Sequence, residues 1–290
     1  MSRHPHSFHR SDEIVYTPES RLRHPLRLFK EMGRDLLASR ELAWRLLVRD
    51  INTQYRQSLL GVFWAFVPPI AAAVGLTLAS SAKVLNVGAT DIPYPAYVMF
   101  SMALWQTFTE SVTGPIQSVA AAKPMLAKIN FPREAIILAQ LGQVGFNFGI
   151  KLLLIIGLFL WFKIPFVWTV FLAPVALLHL IALGTAVGLL LAPVAALYED
   201  VARGLTLVMG VWLFITPVIY PLPQSGGFAM LVRLNPATPL LSAVRELATL
   251  GAIADPHSFW LASLLAGMGL MLAWLVYRVA MPFVIERMSA

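Results

Sequence analysis

The chain has 290 residues, no cysteine and few charged side chains. Without cysteine it cannot form a disulfide framework, use a thiol nucleophile or bind a metal through a cysteine thiolate. Charged residues make up 13% of the chain and apolar residues 58%, whereas an ordinary soluble domain has about 25% and about 45–50%. This balance excludes an ordinary soluble enzyme and a disordered chain, and it predicts an all-α integral membrane protein.

Motifs for catalysis are also missing. No Gly-x-x-x-x-Gly-Lys-Ser/Thr sequence occurs, so the chain has no P-loop for nucleotide phosphates. No spaced cluster of His, Asp and Glu predicts a metal site, and no Ser-His-Asp arrangement lies near a membrane face. We therefore expect no catalytic residues, no metal and no cofactor in this chain.

The first 58 residues are polar and contain no apolar stretch typical of a signal peptide. Residues 1–25 are rich in His, Arg, Pro and Ser, which predicts a flexible tail. Residues 26–58 form the second unit, with an apolar stripe at helical spacing: Leu37, Trp44, Val48, Ile51 and Tyr55. This unit is too charged to cross a bilayer, and we expect an amphipathic helix at the membrane surface or against a soluble partner.

Residues 59–285 are predicted to form a six-span transmembrane domain. Each span is near the roughly 20 residues that cross a bilayer; the predicted spans are 59–82, 96–119, 135–161, 167–195, 204–220 and 258–281. An even number places both termini on one side. The segments on that side hold 17 Lys and Arg, against four in the segments on the other, which predicts cytoplasmic termini.

The region at about 222–250, between the last two spans, has two apolar stretches at 226–234 and 238–250. Neither is long enough to span, and Asn235-Pro236 and Pro239 interrupt them. We expect short re-entrant or interfacial helices on the outer side.

The net charge of +7 does not require a nucleic acid partner. Excess cation is typical of cytoplasmic loops that face anionic lipid. We expect contacts with membrane lipids and none with nucleic acid.

Polar residues lie along one face of two predicted spans. Gln140, Gln143, Asn147 and Lys151 recur at spacings of three and four in the third span, and Glu110 lies on a similar stripe in the second. Lys151 is roughly 15 Å and Glu110 roughly 21 Å from the outer end, within reach of an ion pair. These residues either hold helices together or line a substrate path.

Aromatic residues mark the beginning of the first predicted span: Tyr55, Phe63, Trp64 and Phe66. They are typical of an interfacial belt, but aromatic faces also stack on sugar rings. Two glycine pairs, Gly145 with Gly149 and Gly184 with Gly188, favour close helix contacts.

Four ordered motifs resemble those of ABC-2 type polysaccharide-export permeases, whose members export O-antigen, capsule and teichoic acid. They are RDINTQYRQSLLGVFWA at 49–65, NFPRE at 130–134, YEDV at 198–201, and TPVIYP at 216–221 with LNP at 234–236. The resemblance covers about residues 35–285. The first 25 residues depart from the family's usual short beginning, and Pro68-Pro69 doubles a position where one proline is common.

The resemblance implies a homodimer of six-span subunits, each bound on its cytoplasmic face by a separate ATP-binding subunit that holds ATP and Mg. Residues implied at that interface are Arg49, Lys123, Lys128, Arg133, Glu134, Glu199, Asp200 and Arg203. Candidate channel residues are Tyr55, Phe63, Trp64, Phe66, Glu110, Gln143, Asn147 and Lys151. The family's outer re-entrant helices would fall at about 222–250.

We therefore expect the permease subunit of an ATP-driven exporter. It would move a lipid-linked polysaccharide of the O-antigen type outward across a bacterial inner membrane. One alternative is export of capsule, teichoic-acid polymer, a small lipid or a drug by the same architecture. Another is a membrane glycosyl- or acyltransferase, against which stands the lack of a catalytic cluster at either face.

Overall fold

The computed structural model describes residues 25–56, 61–84, 88–126 and 131–289. This part of the chain contains helices and no strand. Two short 3-10 turns, at Gly61–Ala65 and Trp168–Phe171, precede α3 and α6. The ten α-helices are α1 Pro25–Ala38, α2 Arg40–Arg56, α3 Val67–Ser81, α4 Tyr94–Leu126, α5 Glu134–Trp161, α6 Ala173–Leu197, α7 Glu199–Ile215, α8 Gly227–Leu234, α9 Ala237–Thr249 and α10 Pro256–Ser289.

Three of the described helices are long and apolar enough to cross a bilayer: α5, α6 and the Pro256–Arg287 part of α10. The other three predicted spans coincide with α3, α4 and α7. Helix α3 is apolar but has only 15 residues, and α7 has 17. The all-helical membrane fold is therefore confirmed, while the count of six spans stays a prediction.

Helix α6 is the centre of the bundle and packs against α4, α9 and α10. The absence of side chains at Gly184 and Gly188 permits this contact, because a Cβ at Gly184 would lie 2.7 Å from Cβ of Ser111. A Cβ at Gly188 would lie still closer to the backbone oxygen of Val112 in α4. The predicted close contact is confirmed for this pair. At Gly145 and Gly149 a Cβ would meet no atom within 4 Å.

One end of the bundle gathers most of the charge. There α4, α6 and α10 end, α5 and α7 begin, and α1 contacts α5 and α10. Arg278 of α10 joins two of these elements, since its guanidinium lies 2.6 Å from an oxygen of Asp35 and 2.8 Å from one of Glu134. We call this the charged end, and the opposite one the far end.

At the far end, Asn235 fastens α7 to α9. Its side-chain oxygen accepts hydrogen bonds from Nε1 of Trp212 at 3.0 Å and from the Ala237 backbone at 3.1 Å. Its amide nitrogen donates to the hydroxyl of Thr216 at 2.8 Å. The Asn-Pro pair therefore both begins α9 and ties it to the end of α7.

Arg245 of α9 makes the second far-end link. Its guanidinium donates to Oγ of Ser101 at 2.9 Å and to the carbonyl of Pro217 at 3.3 Å. It also lies 4.2 Å above the ring of Tyr97, a favourable cation–π arrangement. These contacts hold α9 against α4 and the segment after α7.

The predicted amphipathic unit is two helices rather than one. The chain turns at Ser39, whose hydroxyl donates to the carbonyl of Asp35 at 2.6 Å. The apolar stripe faces outward, with Leu37 and Trp44 well exposed and Val48 less so. An exposed apolar stripe next to a membrane domain is what an interfacial helix requires.

The beginning of the first predicted span differs from expectation. Phe63 and Trp64 lie in a 3-10 turn, and α3 begins only at Val67. Pro68 and Pro69 fall in the first turn of α3, where a missing N–H costs little. The doubled proline therefore begins the helix and does not bend it.

We predict that Asn235→Ala lowers the free energy of unfolding by about 2–3 kcal/mol, because the partly buried Trp212 N–H loses its acceptor and the buried Thr216 hydroxyl loses its donor. Thermal unfolding in detergent measures this loss. Gln224→Ala, at an exposed position between α7 and α8, is the control. Equal midpoints for the two variants would contradict the proposed link.

Candidate functional site

The predicted ion pair between the second and third spans is present. Nζ of Lys151 lies 2.6 Å from Oε1 of Glu110, and Nδ2 of Asn147 donates to Oε2 of Glu110 at 3.2 Å. Lys151 is 1% exposed. A buried ammonium in an apolar bundle needs such a carboxylate, because an isolated charge there is costly.

The two glutamines of the α5 stripe bind different helices. Nε2 of Gln140 donates to the backbone carbonyl of Glu110 at 3.1 Å, so it supports the α4–α5 contact. Nε2 of Gln143 donates to Oε1 of Gln54 at 2.7 Å. The stripe therefore connects α5 to both α4 and α2.

A cavity of about 480 Å³ lies between α2, α4 and α5. It extends along α4 from Met125 to Glu110, which is roughly 22 Å at the α-helical rise. Much of its lining is polar: Arg49, Asp50, Thr53, Gln54, Glu110, Thr113, Gln117, Ser118, Gln140, Gln143 and Asn147. Amides, hydroxyls and carboxylates of this kind hold water or hydroxylated ligands.

The cavity therefore includes three of the predicted channel residues, Glu110, Gln143 and Asn147. Lys151 is not among the lining residues, but it pairs with Glu110, which is. The side chain of Tyr55 lies outside the described part of the chain.

Helix α2 is fixed on α5 by close packing. The side chain of Leu47 lies over Gly142, where a Cβ would come within 2.7 Å of Cδ2 of Leu47. Ala43 and Leu46 are buried in the same core. A displacement of α2 would therefore be passed to α5 and to the ion pair that α5 carries.

The other predicted channel residues lie elsewhere. Phe63 and Trp64 are exposed on the surface of the chain, and the rings of Phe63 and Phe66 meet edge to face at 6.3 Å. Phe66 shares a shallow apolar groove with the second half of α5, including Leu153 and Trp161. Phe66 therefore lies further from the charged end than the polar cavity does, because the cavity contacts the first half of α5.

Most of the residues predicted to face an ATP-binding subunit lie at the charged end. Glu199, Asp200 and Arg203 are highly exposed in the first turns of α7. Lys123 and Arg133 are partly exposed, near the end of α4 and just before α5. Arg49 pairs with Asp50 at 2.8 Å beside the polar cavity. Lys128 lies outside the described residues.

Glu134 differs from the rest of that set. It is 7% exposed and accepts a hydrogen bond from Arg278 at 2.8 Å. The side chain of Glu134 therefore faces α10 and not the surface of the charged end.

Sequence reasoning missed three linking residues: Arg278, Arg245 and Asn235. The Asn-Pro dipeptide is a signal for a helix beginning, so part of the Asn235 contact could have been found. The partners of Arg278 and Arg245 could not, since Glu134 and Ser101 each lie 144 residues away in sequence. No group of three or more His, Asp or Glu able to hold a metal occurs in the described part of the chain.

We predict that Lys151→Met and Glu110→Gln each destabilise the protein, by about 3 kcal/mol, because each leaves a charged partner uncompensated: the partly buried Glu110 or the buried Lys151. The double variant should recover most of this loss. Thermal unfolding of all four forms in detergent gives the coupling free energy, with the exposed Glu199→Gln as control. Additive losses would show that the two residues are not coupled.

The chain is similar in sequence to known proteins. The chain is 25% identical to an O-antigen export system permease protein RfbA of Myxococcus xanthus over 218 residues, which is 74% of this chain and 82% of the relative. It is 22% identical to a protein of the same name from Klebsiella pneumoniae over 204 residues, which is 69% of this chain and 76% of the relative.

A family model described as ABC-2 type transporter matches residues 41–248. The match begins in α2 and ends in α9, so it includes the polar cavity, the ion pair and both far-end links. It also covers more than half of the chain. The chain belongs to the ABC-2 type transporter family.

Proposed function

We propose that this chain is the permease subunit of an ATP-driven exporter that moves a lipid-linked polysaccharide of the O-antigen type outward across a bacterial inner membrane. The observation that carries the proposal is the similarity to O-antigen export permeases along 82% of one relative's length. Membership of a transporter family also argues against a glycosyl- or acyltransferase.

The proposed orientation places the charged end in the cytoplasm and the far end outside. The Lys and Arg distribution of the sequence supports this direction. All six predicted spans then cross the membrane, and α8 and α9 lie in its outer half as re-entrant helices. The contacts of Asn235 and Arg245 would hold α8 and α9 there.

Energy would come from two copies of an ATP-binding subunit, which hold ATP and Mg, docked on a homodimer of this chain. The exposed charges at the beginning of α7 are suited to such docking because they project from the charged end. Helix α2 would be the transmitting element, since Leu47 and Gln54 attach it to α5. Glu134 would act indirectly, by fixing α5 to α10.

The substrate path is proposed to have two parts. The polar cavity, with its amide and hydroxyl lining, would receive sugar units from the cytoplasmic side. Phe63, Trp64 and Phe66 would then offer aromatic faces between two copies of the first span. Aromatic stacking is weak and tolerant of sequence, which suits a sliding polymer.

We predict that charge reversal at Glu199 and Asp200 uncouples ATP hydrolysis from export while the protein still inserts. The reversed charges would repel the basic groups of the ATP-binding subunit that the native carboxylates attract. ATPase and export rates are measured in vesicles with the partner subunit, and Asp91→Lys at the far end is the control. The permease alone should hydrolyse no ATP. Unchanged coupling in the double variant, or ATPase activity of the pure permease, would refute this assignment.

We predict that Phe63→Leu with Phe66→Leu lowers glycan export clearly, because leucine keeps hydrophobicity but cannot stack. Expression and assembly with the ATPase should stay normal. Phe171→Leu changes an exposed aromatic residue next to α6 and should leave export unchanged. Export at the wild-type rate would mean that Phe63 and Phe66 only anchor the chain at the membrane interface.

We predict that Glu110→Gln with Lys151→Met, which should be stable, still reduces export, because the floor of the cavity loses its charge-assisted hydrogen bonds. Vesicle transport is compared with thermal stability in the same preparation. Normal export by the stable double variant would mean that the pair serves packing alone.

A further inference from the structure

Helices α5 and α6 both flank α4, but a cleft separates the second half of α5 from the beginning of α6. A cavity of about 320 Å³ occupies this cleft. Phe100 of α4 and Phe159 of α5 close its back, with ring centroids 5.8 Å apart. Val170, Val244 and Ala248 lie on the remaining side.

Every residue that lines this cavity is apolar, including Phe148, Ile155 and Leu177. Water in such a space would lack hydrogen-bond partners, so the cavity is dry or holds an apolar group. Its volume is more than twice the roughly 150 Å³ of an apolar cavity that binds benzene. The space therefore suits part of a hydrocarbon chain.

The cavity has an exposed edge along α5. Leu152, Ile156 and Leu160 form its α5 lip, and all three are exposed on the protomer surface. Because α5 is long and apolar enough to cross a bilayer, this lip faces hydrocarbon in the membrane. An occupant would enter from the bilayer and not from water.

The end of α5 marks the level of the lipid headgroups beside this cavity. With 28 residues, α5 is about 42 Å long, close to the bilayer thickness with headgroups. Lys163 follows it with a positive φ of 52°. Ile164, whose N–H donates to the carbonyl of Phe159 at 3.0 Å, lines the cavity.

Glycine is the usual residue at such a left-handed position after a helix. Lysine is strained there, yet it places an exposed cation at the level where a lipid phosphate would lie. A cation next in sequence to the lining residue Ile164 and an apolar cavity interior together suit an anionic lipid.

We propose that this cleft binds one acyl chain of an anionic glycerophospholipid from the leaflet next to the α5–α6 connection, with the headgroup phosphate near Lys163. The closed back favours one short linear chain over a long branched isoprenoid. This site is separate from the proposed polysaccharide path and does not depend on it.

Photolabelling tests the proposal on the full chain in nanodiscs, without ATP or glycan. The probe is phosphatidylglycerol with a diazirine in mid-chain, and labelled residues are located by mass spectrometry. We expect labels on the lining residues Phe148, Ile155 and Val244. Leu177→Trp should reduce these labels about tenfold by filling the cavity, while Leu178→Trp, on the exposed side of α6, should not.

A second variant does not alter the cavity. Lys163→Gly suits the positive φ and should not lower the thermal midpoint, yet it should remove the preference for phosphatidylglycerol over a phosphatidylcholine probe. The proposal is overturned if labels occur only on exposed residues such as Leu153, or if neither Leu177→Trp nor Lys163→Gly changes labelling. Displacement of the label by polyprenyl phosphate would also overturn it, by assigning the cleft to an isoprenoid.

Discussion

The ion pair between Glu110 and Lys151 is the constraint on which much of the arrangement depends. A lysine that is 1% exposed is tolerated in an apolar bundle only with its carboxylate at 2.6 Å. This requirement fixes the register of α5 against α4. Gln140, Asn147 and Gln143 then fall at the positions where they meet α4 and α2, and the polar cavity forms between the three helices.

The same register links the two ends of the molecule. Helix α5 carries Glu134 at the charged end, where Arg278 and Asp35 join it to α10 and α1. Its second half carries the groove against Phe66 and the wall of the apolar cleft. Helix α5 is therefore the element through which a force on α2 would reach both parts of the proposed path.

Local patterns predicted the helices well, because apolar periodicity and length determine which segments become helical in a bilayer. The rise per residue placed Glu110 and Lys151 within reach of an ion pair, and the structure contains this pair. The break at Ser39 and the 3-10 turn before α3 were not predicted. Each feature lies within a single turn: the Ser39 hydroxyl donates to the carbonyl of Asp35, and two prolines lie at the beginning of α3. The links of Arg245 and Arg278 depend on how distant helices pack, which no local pattern reports.

Export of a lipid-linked glycan by this chain is proposed to require a separate ATPase. The most direct measurement is transport in sealed vesicles that contain the chain, its ATP-binding partner and a defined lipid-linked glycan. Glycan should reach the face opposite the ATPase in proportion to ATP hydrolysed, and neither subunit alone should move it. Transport without the ATPase, or ATP hydrolysis by the full complex with no movement of any lipid-linked glycan, would contradict ATP-driven export of such a glycan by this chain.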